Sequence, residues 1–259
     1  MSHSQSTRLY ALVTCALLVT GTSALAQSVG EQSMEARFQL DLRVPDAALL
    51  PLLPTGFTLN VATQGPAKDC NLRAVFVDRM TINGPDGKPV GKGSSRMVYL
   101  AAPVKDASGA NAQLVIGGLV EDAADAPGPF GVYLPTTTHT MQRSTVSNGS
   151  GPAIDSQDWV FQAASGERLE FHIKYEHGIG NRNNPIEVKF YSAKNGALQV
   201  WRQEQVLDIL RNPTTNPPDR VKEFSLTASG GSYARLFDGT EKPVSWDNII
   251  WLNRTVLAP

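Results

Sequence analysis

The residues with most chemistry to offer sit in and around one stretch, residues 117–146, which reads GGLVEDAADAPGPFGVYLPTTTHTMQRSTV. It holds a carboxylate at Glu121, a phenol at Tyr133, hydroxyls at Thr136 and Thr137, an imidazole at His139 and a guanidinium at Arg143. Arg96 and Tyr99, in the preceding RMVYLAAPV segment, extend the set. A guanidinium grips a carboxylate through charge-assisted hydrogen bonds. Tyrosine, threonine and histidine add directional hydrogen bonds and stacking. Together these residues form a candidate binding site for a small organic acid, with Arg96 or Arg143 on the carboxylate. The turn between its strands carries Pro127, Gly128 and Pro129, which stiffen the backbone. Stiff loops on a strand scaffold are common places to build a site.

Other chemistries are poorly supplied. Outside the N-terminal segment the histidines are His139, His172 and His177. A strand alternates its side chains, so two histidines five apart on one strand face opposite ways and cannot share an ion. No metal and no cofactor are therefore expected. Gly149-Ser150-Gly151 lies in a loop with no strand leading into it, so a nucleophile elbow is missing, and no phosphate-binding glycine pattern occurs. An enzymatic alternative, a lyase or hydrolase acting on a keto or enol compound, would use His139 or His172 as acid and base. Its partner would be Glu121 or Glu176. A third reading is a lipid carrier or envelope interaction module.

Residues 1–26 have the form of an export signal. Arg8 is the positive end, residues 9–21 are apolar, and Ala24-Leu25-Ala26 gives a small-x-small cleavage pattern. The expected product, residues 27–259, is one exported domain, periplasmic or secreted, without a membrane span. Its only cysteine is Cys70, expected to be a buried thiol, so no intrachain disulfide can form. The whole chain has a formal net charge of −1, which argues against a nucleic-acid partner. A small-molecule ligand is the expected partner, and an oligomer is left open.

The elements that must hold these residues are strands. Residues 37–44 alternate Phe38, Leu40, Leu42 and Val44 with Arg37, Gln39, Asp41 and Arg43, the signature of one buried face. Residues 27–34 read as a frayed end. Asp46 can cap a short helix that Pro51 and Pro54 limit. Strands are expected at 57–62, 71–80, 96–104, 113–120, 159–163, 168–177, 186–191 and 198–201. Lys194-Asn195-Gly196 is a hairpin turn between the last two. Residues 147–158 read as a loop, and 214–220 as irregular. Residues 203–211 fit either a short helix or a continuing strand. Two more strands lie near 222–228 and 248–257. The fold class is mainly β: a single-domain antiparallel or mixed β-barrel or sandwich with few short helices.

The order of features resembles the acetoacetate decarboxylase-like superfamily. The similarity runs from Val44-Pro45 through Leu53-Pro54-Thr55-Gly56-Phe57, then the strand Ala74-Val75-Phe76-Val77-Asp78 and the pair at 96–104 and 113–120. It reaches Phe130-Gly131-Val132-Tyr133-Leu134-Pro135, where the family has a Gly-Phe-Pro-Lys segment, and continues through residues 161–175. The resemblance implies chemistry at a lysine amine that forms a Schiff base with a β-keto acid, its pKa lowered by a cationic neighbour and an apolar site. Here Thr136 and Thr137 follow Pro135 where the family carries its lysine pair, and the family's glutamates are absent from residues 96–100. A threonine hydroxyl cannot form an imine. The resemblance thus implies a decarboxylase-like fold without its decarboxylation machinery, with Lys174 as the one alternative amine.

Overall fold

The computed structural model describes residues 28–211, 219–231 and 233–257, so the expected signal segment 1–26 and most of the irregular 214–220 stretch lie outside the described residues. Seven strands close into a mixed barrel in the order β5 (Asn111–Val120), β10 (Ile186–Ser192), β11 (Leu198–Arg211), β13 (Lys242–Leu257), β1 (Val29–Arg43), β3 (Leu72–Asn83) and β4 (Ser95–Lys105). The β4–β5 pairing shuts the ring, and the β5–β10 pairing is its one parallel contact. Two short strands edge it: β2 (Thr58–Leu59) on β4 and β9 (Asn181–Arg182) on β11. A second sheet, β6 (Tyr133–Val146), β7 (Ile154–Ala163), β8 (Arg168–Glu176) and β12 (Val221–Ser229), grows from β5 through a parallel pairing of Gly118–Val120 with Tyr133–Pro135.

The period-two alternation explains how the two sheets meet. One face of β1, β3 and β4 presents Phe38, Leu40, Leu42, Leu72, Ala74, Phe76, Val98 and Leu100 outward from the barrel. The second sheet covers them with Trp159, Phe161, Leu169, Phe171 and Ile173. Phe76 and Phe171 stack with ring centroids 4.5 Å apart. Each such fully buried side chain contributes roughly 1.5–3 kcal/mol of hydrophobic stabilisation, so this layer dominates the stability of the fold. The other face of the same strands points into the barrel. There Val75, Val77, Met97, Tyr99, Ala101, Val115, Phe190 and Trp201 form a second apolar cluster.

Several elements differ from the sequence expectation. The strand that reads as starting at Arg37 begins at Val29, because Ser33 and Glu35 are buried inside the barrel among arginines rather than frayed in water. Residues 147–158 are not all loop: β7 starts at Ile154, and its buried face begins with the polar Asp155 and Gln157 before Trp159 and Phe161. Residues 203–211 continue the strand β11, held by β13 on one side and by β9 at Val206 and Leu207 on the other. The expected strand at 57–62 shrinks to Thr58–Leu59. Helix α1 (Asp46–Leu49) has Asp46 as its first residue, with its carboxylate taken by Arg43 and Asn71 instead of by the helix end. A three-residue helical turn, Leu50–Leu52, follows it. The second helix, α2 (Tyr233–Leu236), carries no clear sequence signal.

Candidate functional site

The expected site residues divide between two places on opposite sides of the β4 wall. Tyr99 and Tyr133 point into the barrel. The other polar members collect outside it. Arg96 reaches Asp78 (Nε–Oδ1 3.2 Å) and Glu121 (Nη1–Oε2 3.7 Å), and Arg143 reaches Asp78 (3.9 Å). His139 Nε2 lies 3.7 Å from Glu121 Oε2. Each of these cations already faces a carboxylate, and His139 and Arg143 are each 34% exposed. Thr137 donates to the carbonyl of Gln162 (3.2 Å), and the buried Thr136 hydroxyl has no hydrogen-bond partner among the described residues. His172 and His177 pair with different aspartates, Asp158 and Asp155, each at 2.6 Å. His172 and Lys174 both lie on the polar face of β8, where Lys174 pairs with Glu223 at 2.8 Å.

Tyr133 enters the barrel because β6 joins the wall at Gly118, and Gly118 is what makes room for it. A Cβ there would stand 2.7 Å from the Tyr133 ring and 2.6 Å from the Val98 carbonyl. Burial pushes the Tyr133 phenol well above its usual range, and its oxygen has no hydrogen-bond partner among the described residues.

The barrel interior holds a charge cluster that sequence reading assigned to solvent. Glu35, fully buried, accepts from Ser33 Oγ (2.6 Å) and Arg37 Nε (2.6 Å), and Arg254 Nη2 stands 3.0 Å away. Arg254 also bonds Glu31 (2.8 Å) and lies over the Trp201 ring at 4.4 Å. Arg79 completes the group through Glu31 and the Asp125 carbonyl. Burial alone would raise the Glu35 pKa, but Arg254, Arg37 and Arg79 outweigh it and hold the carboxyl at about 2.

Beside this cluster, towards the far end of β1, lies a cavity of about 140 Å³. Arg37, Tyr99, Gln113 and Gln203 line it with polar atoms, and Val75, Ala101, Val188 and Phe190 with carbon. Phe190 stacks on Trp201 at 3.9 Å, and Tyr99 meets both rings edge-on. Arg37 is only 3% exposed and donates to Tyr99 Oη (3.4 Å). Its Nη2 stands 2.6 Å from Glu35 Oε2 but out of line for a hydrogen bond, and has no other partner among the described residues. The Gln113 Oε1 atom is also buried without a partner there.

A carboxyl pair closes the same cavity. Gln39 Nε2 donates to Asp41 Oδ1 (3.0 Å) and to Asp247 Oδ2 (3.4 Å). Arg73 sits 3.2 Å from Asp41, and Ser245 donates to Asp247 (3.0 Å). Burial and the neighbouring Asp41 push Asp247 up to about 7. Cys70, buried beside this pair as expected, is pushed up to about 12 by burial and by Asp41, so its thiol stays protonated and inert. Among the described residues no lysine lines the cavity and none is buried, and no group of three or more His, Cys, Asp and Glu side chains could hold a metal. No described helix is long and apolar enough to cross a membrane.

The sequence signal for this interior was present but misassigned. Arg37, Gln39 and Asp41 alternate with the apolar residues of β1, and in a closed barrel the polar side of that alternation faces inward. Arg73, Gln113, Gln203 and Asp247 sit on strands whose closure no local pattern announces.

No family model and no curated protein matches the chain. Solved structures do. The chain is similar to an acetoacetate decarboxylase-like enzyme from Sphingomonas wittichii RW1, with TM-score 0.53 and 12% identity over 96% of this chain and 98% of that one. It is similar to the enduracididine biosynthesis enzyme MppR complexed with the condensation product of pyruvate and imidazole 4-carboxaldehyde, with TM-score 0.52 and 14% identity over 93% and 91%. A structure of acetoacetate decarboxylase gives TM-score 0.50 and 13% identity over 88% and 87%. The fold is acetoacetate decarboxylase-like, as the order of sequence features implied.

Proposed function

We propose that the protein binds a small organic acid non-covalently inside the barrel, in the cavity beside Arg37. The observation that carries this reading is the buried Arg37 Nη2, a cationic donor without a hydrogen-bond partner among the described residues, at the edge of a cavity with an apolar floor. Its carboxylate neighbour, Glu35 Oε2, stands 2.6 Å away but out of line, so the donor is left for an acceptor on the cavity side. A cavity near 150 Å³ takes a molecule of about benzene size, so the occupant has only a few carbons. Its carbon would lie on Val75, Ala101 and Phe190, and its uncharged polar end near Gln113 and Gln203.

We place the carboxylate at Arg37 rather than at Arg96 or Arg143, because Arg37 is buried and lines the cavity, whereas both outer arginines are partly open to water. Tyr99 keeps its proposed role as wall and hydrogen-bonding group, whereas Tyr133 points into the barrel without lining this cavity. Covalent imine chemistry lacks an amine here. Lys174, the one alternative, is engaged by Glu223 on the exposed face of β8. The keto or enol lyase reading through His139 or His172 gains no support, since both imidazoles stand outside the barrel beside carboxylates. Export through residues 1–26 remains part of the proposal, and N-terminal sequencing of the protein recovered from its native host tests it.

Two measurements test the binding reading. Ligand-observed NMR with acetate, propionate and lactate should show binding that Arg37→Met abolishes and Gln113→Ala weakens, with circular dichroism confirming that both variants fold. Borohydride reduction with acetoacetate and then pyruvate, read by intact mass, should give no adduct. A covalent adduct at one lysine would overturn the reading.

A further inference from the structure

We propose that the barrel cavity takes its acid as the anion together with one proton, and that Asp247 is the residue that carries this proton to the ligand. The inference rests on the binding reading above and adds the residue that selects the ligand's charge state. The geometry behind it is the wall that the paired strands β1 and β13 give the cavity. Asp247 on β13 lines the cavity itself, whereas its neighbour Asp41 on β1 is drawn aside by Arg73. One amide, Gln39, donates to both carboxyls and fixes them as a pair. Gln39 and Asp247 are directly paired residues of adjacent strands, so the arrangement is set by the barrel's register.

The groups that face Asp247 define how it titrates. From β1 come Asp41, Gln39 and, two residues further along the same wall, Arg37. From β3 comes Arg73, with Cys70 just before that strand. From β11 comes Asp208, itself held by Arg220 and the Gly178 amide. On its own strand Ser245 donates to it. Two carboxylates, Asp41 and Asp208, oppose its ionisation, and Arg73 favours it. Burial opposes its ionisation most strongly of all, so Asp247 keeps its proton up to about 7. Burial raises the pKa of Asp41 as well, and there Arg73 stands against it and favours its ionised form.

An anion placed between Arg37 and Asp247 meets a donor on both sides only when Asp247 is protonated. If Asp247 is ionised, the ligand faces a second carboxylate and is repelled. Binding therefore draws a proton onto Asp247 wherever the empty protein has lost it. The balance is simple: one anion and one proton enter together, and no covalent bond is made or broken.

Isothermal titration of the purified protein with lactate, in two buffers of different ionisation enthalpy, counts the protons. At about pH 8 close to one proton should be taken up per ligand, and at about pH 6 almost none, with affinity falling by up to about tenfold per pH unit above about 7. In Asp247→Asn the amide donates at every pH, so proton uptake should vanish and the affinity should be the same at both. Lactate binding by the unaltered protein without proton uptake at the higher pH overturns this inference and leaves the binding reading standing. Uptake that persists in Asp247→Asn overturns it too. Absence of lactate binding at either pH overturns both. The proton count of the unaltered protein decides the matter even if the variant fails to fold.

Discussion

Two charge networks lie on either side of the β4 wall, and they share residue types but not physics. Inside the barrel, Glu35 is fully buried among Arg37, Arg79 and Arg254, each at most 3% exposed. Outside, Asp78 and Glu121 serve Arg96, Arg143 and His139, each about one third exposed. In the interior every lost hydrogen bond leaves a desolvated charge. At the outer network Asp78 is itself buried, but the cations it serves are open to water, which replaces a lost partner for them at little cost. The inner network is therefore a structural commitment with a ligand-sized space beside it, and the outer one is a solvated seam between barrel and sheet.

The sharpest way to break this contrast is to remove one acid from each side. Glu35→Ala should destabilise the fold by about 3–5 kcal/mol, since it takes the carboxylate from the buried Arg37 and leaves Arg79 and Arg254 to share Glu31. Urea unfolding measures it, and Asp78→Ala in the same assay should lose far less. Equal losses would mean that the two networks are energetically alike.

The next effect is a pH dependence. Asp247 has its pKa raised from 3.8 to about 7, so the folded state holds a proton that the unfolded chain releases. Its contribution is complete below about pH 4, declines by up to about 1.4 kcal/mol per pH unit as pH rises towards about 7, and is flat above. Thermal unfolding across that range should show the slope, and Asp247→Asn should reduce it. Glu35 behaves in the opposite sense: its pKa is lowered from 4.5 to about 2, so its contribution is present above 4.5 and lost as pH falls through about 2.

Smaller effects are expected outside. Arg143→Ala and His139→Ala should each change stability by less than about 1 kcal/mol, and calorimetry should find lactate affinity unaltered. A large loss of affinity in either variant would move the ligand to the outer network. The smallest effect expected is at Cys70. Its thiol, pushed up to about 12, should stay unlabelled by a thiol reagent at about pH 8 until the protein unfolds.

Much of the fold was legible because its core layer obeys a local rule. Phe38, Leu40 and Leu42, or Leu169, Phe171 and Ile173, alternate cleanly, and each alternation identifies a strand and its buried face. The hairpin at Lys194-Asn195-Gly196 was equally plain, with Gly196 at φ +69°. Elements were missed where the pattern was polar on both readings, as at Val29–Glu35, or where a strand started inside a run of Gly, Ser and Pro, as at Ile154.

The site was less legible. Tyr99 and Tyr133 were picked out and do meet inside the barrel. Arg96, Glu121, His139 and Arg143 were grouped correctly as neighbours, but their neighbourhood is the outer seam. Arg37, Gln39 and Asp41 were read as the wet side of a strand.

The sequence alone determined that the chain is made of strands, which side chains share a face, and that the order of elements is decarboxylase-like. Period two states that a strand has two faces. It cannot state which of them meets water. Only barrel closure decided that, through long-range pairings such as β1 with β13 and β4 with β5, and it turned the polar face of β1 inward as the wall of a cavity.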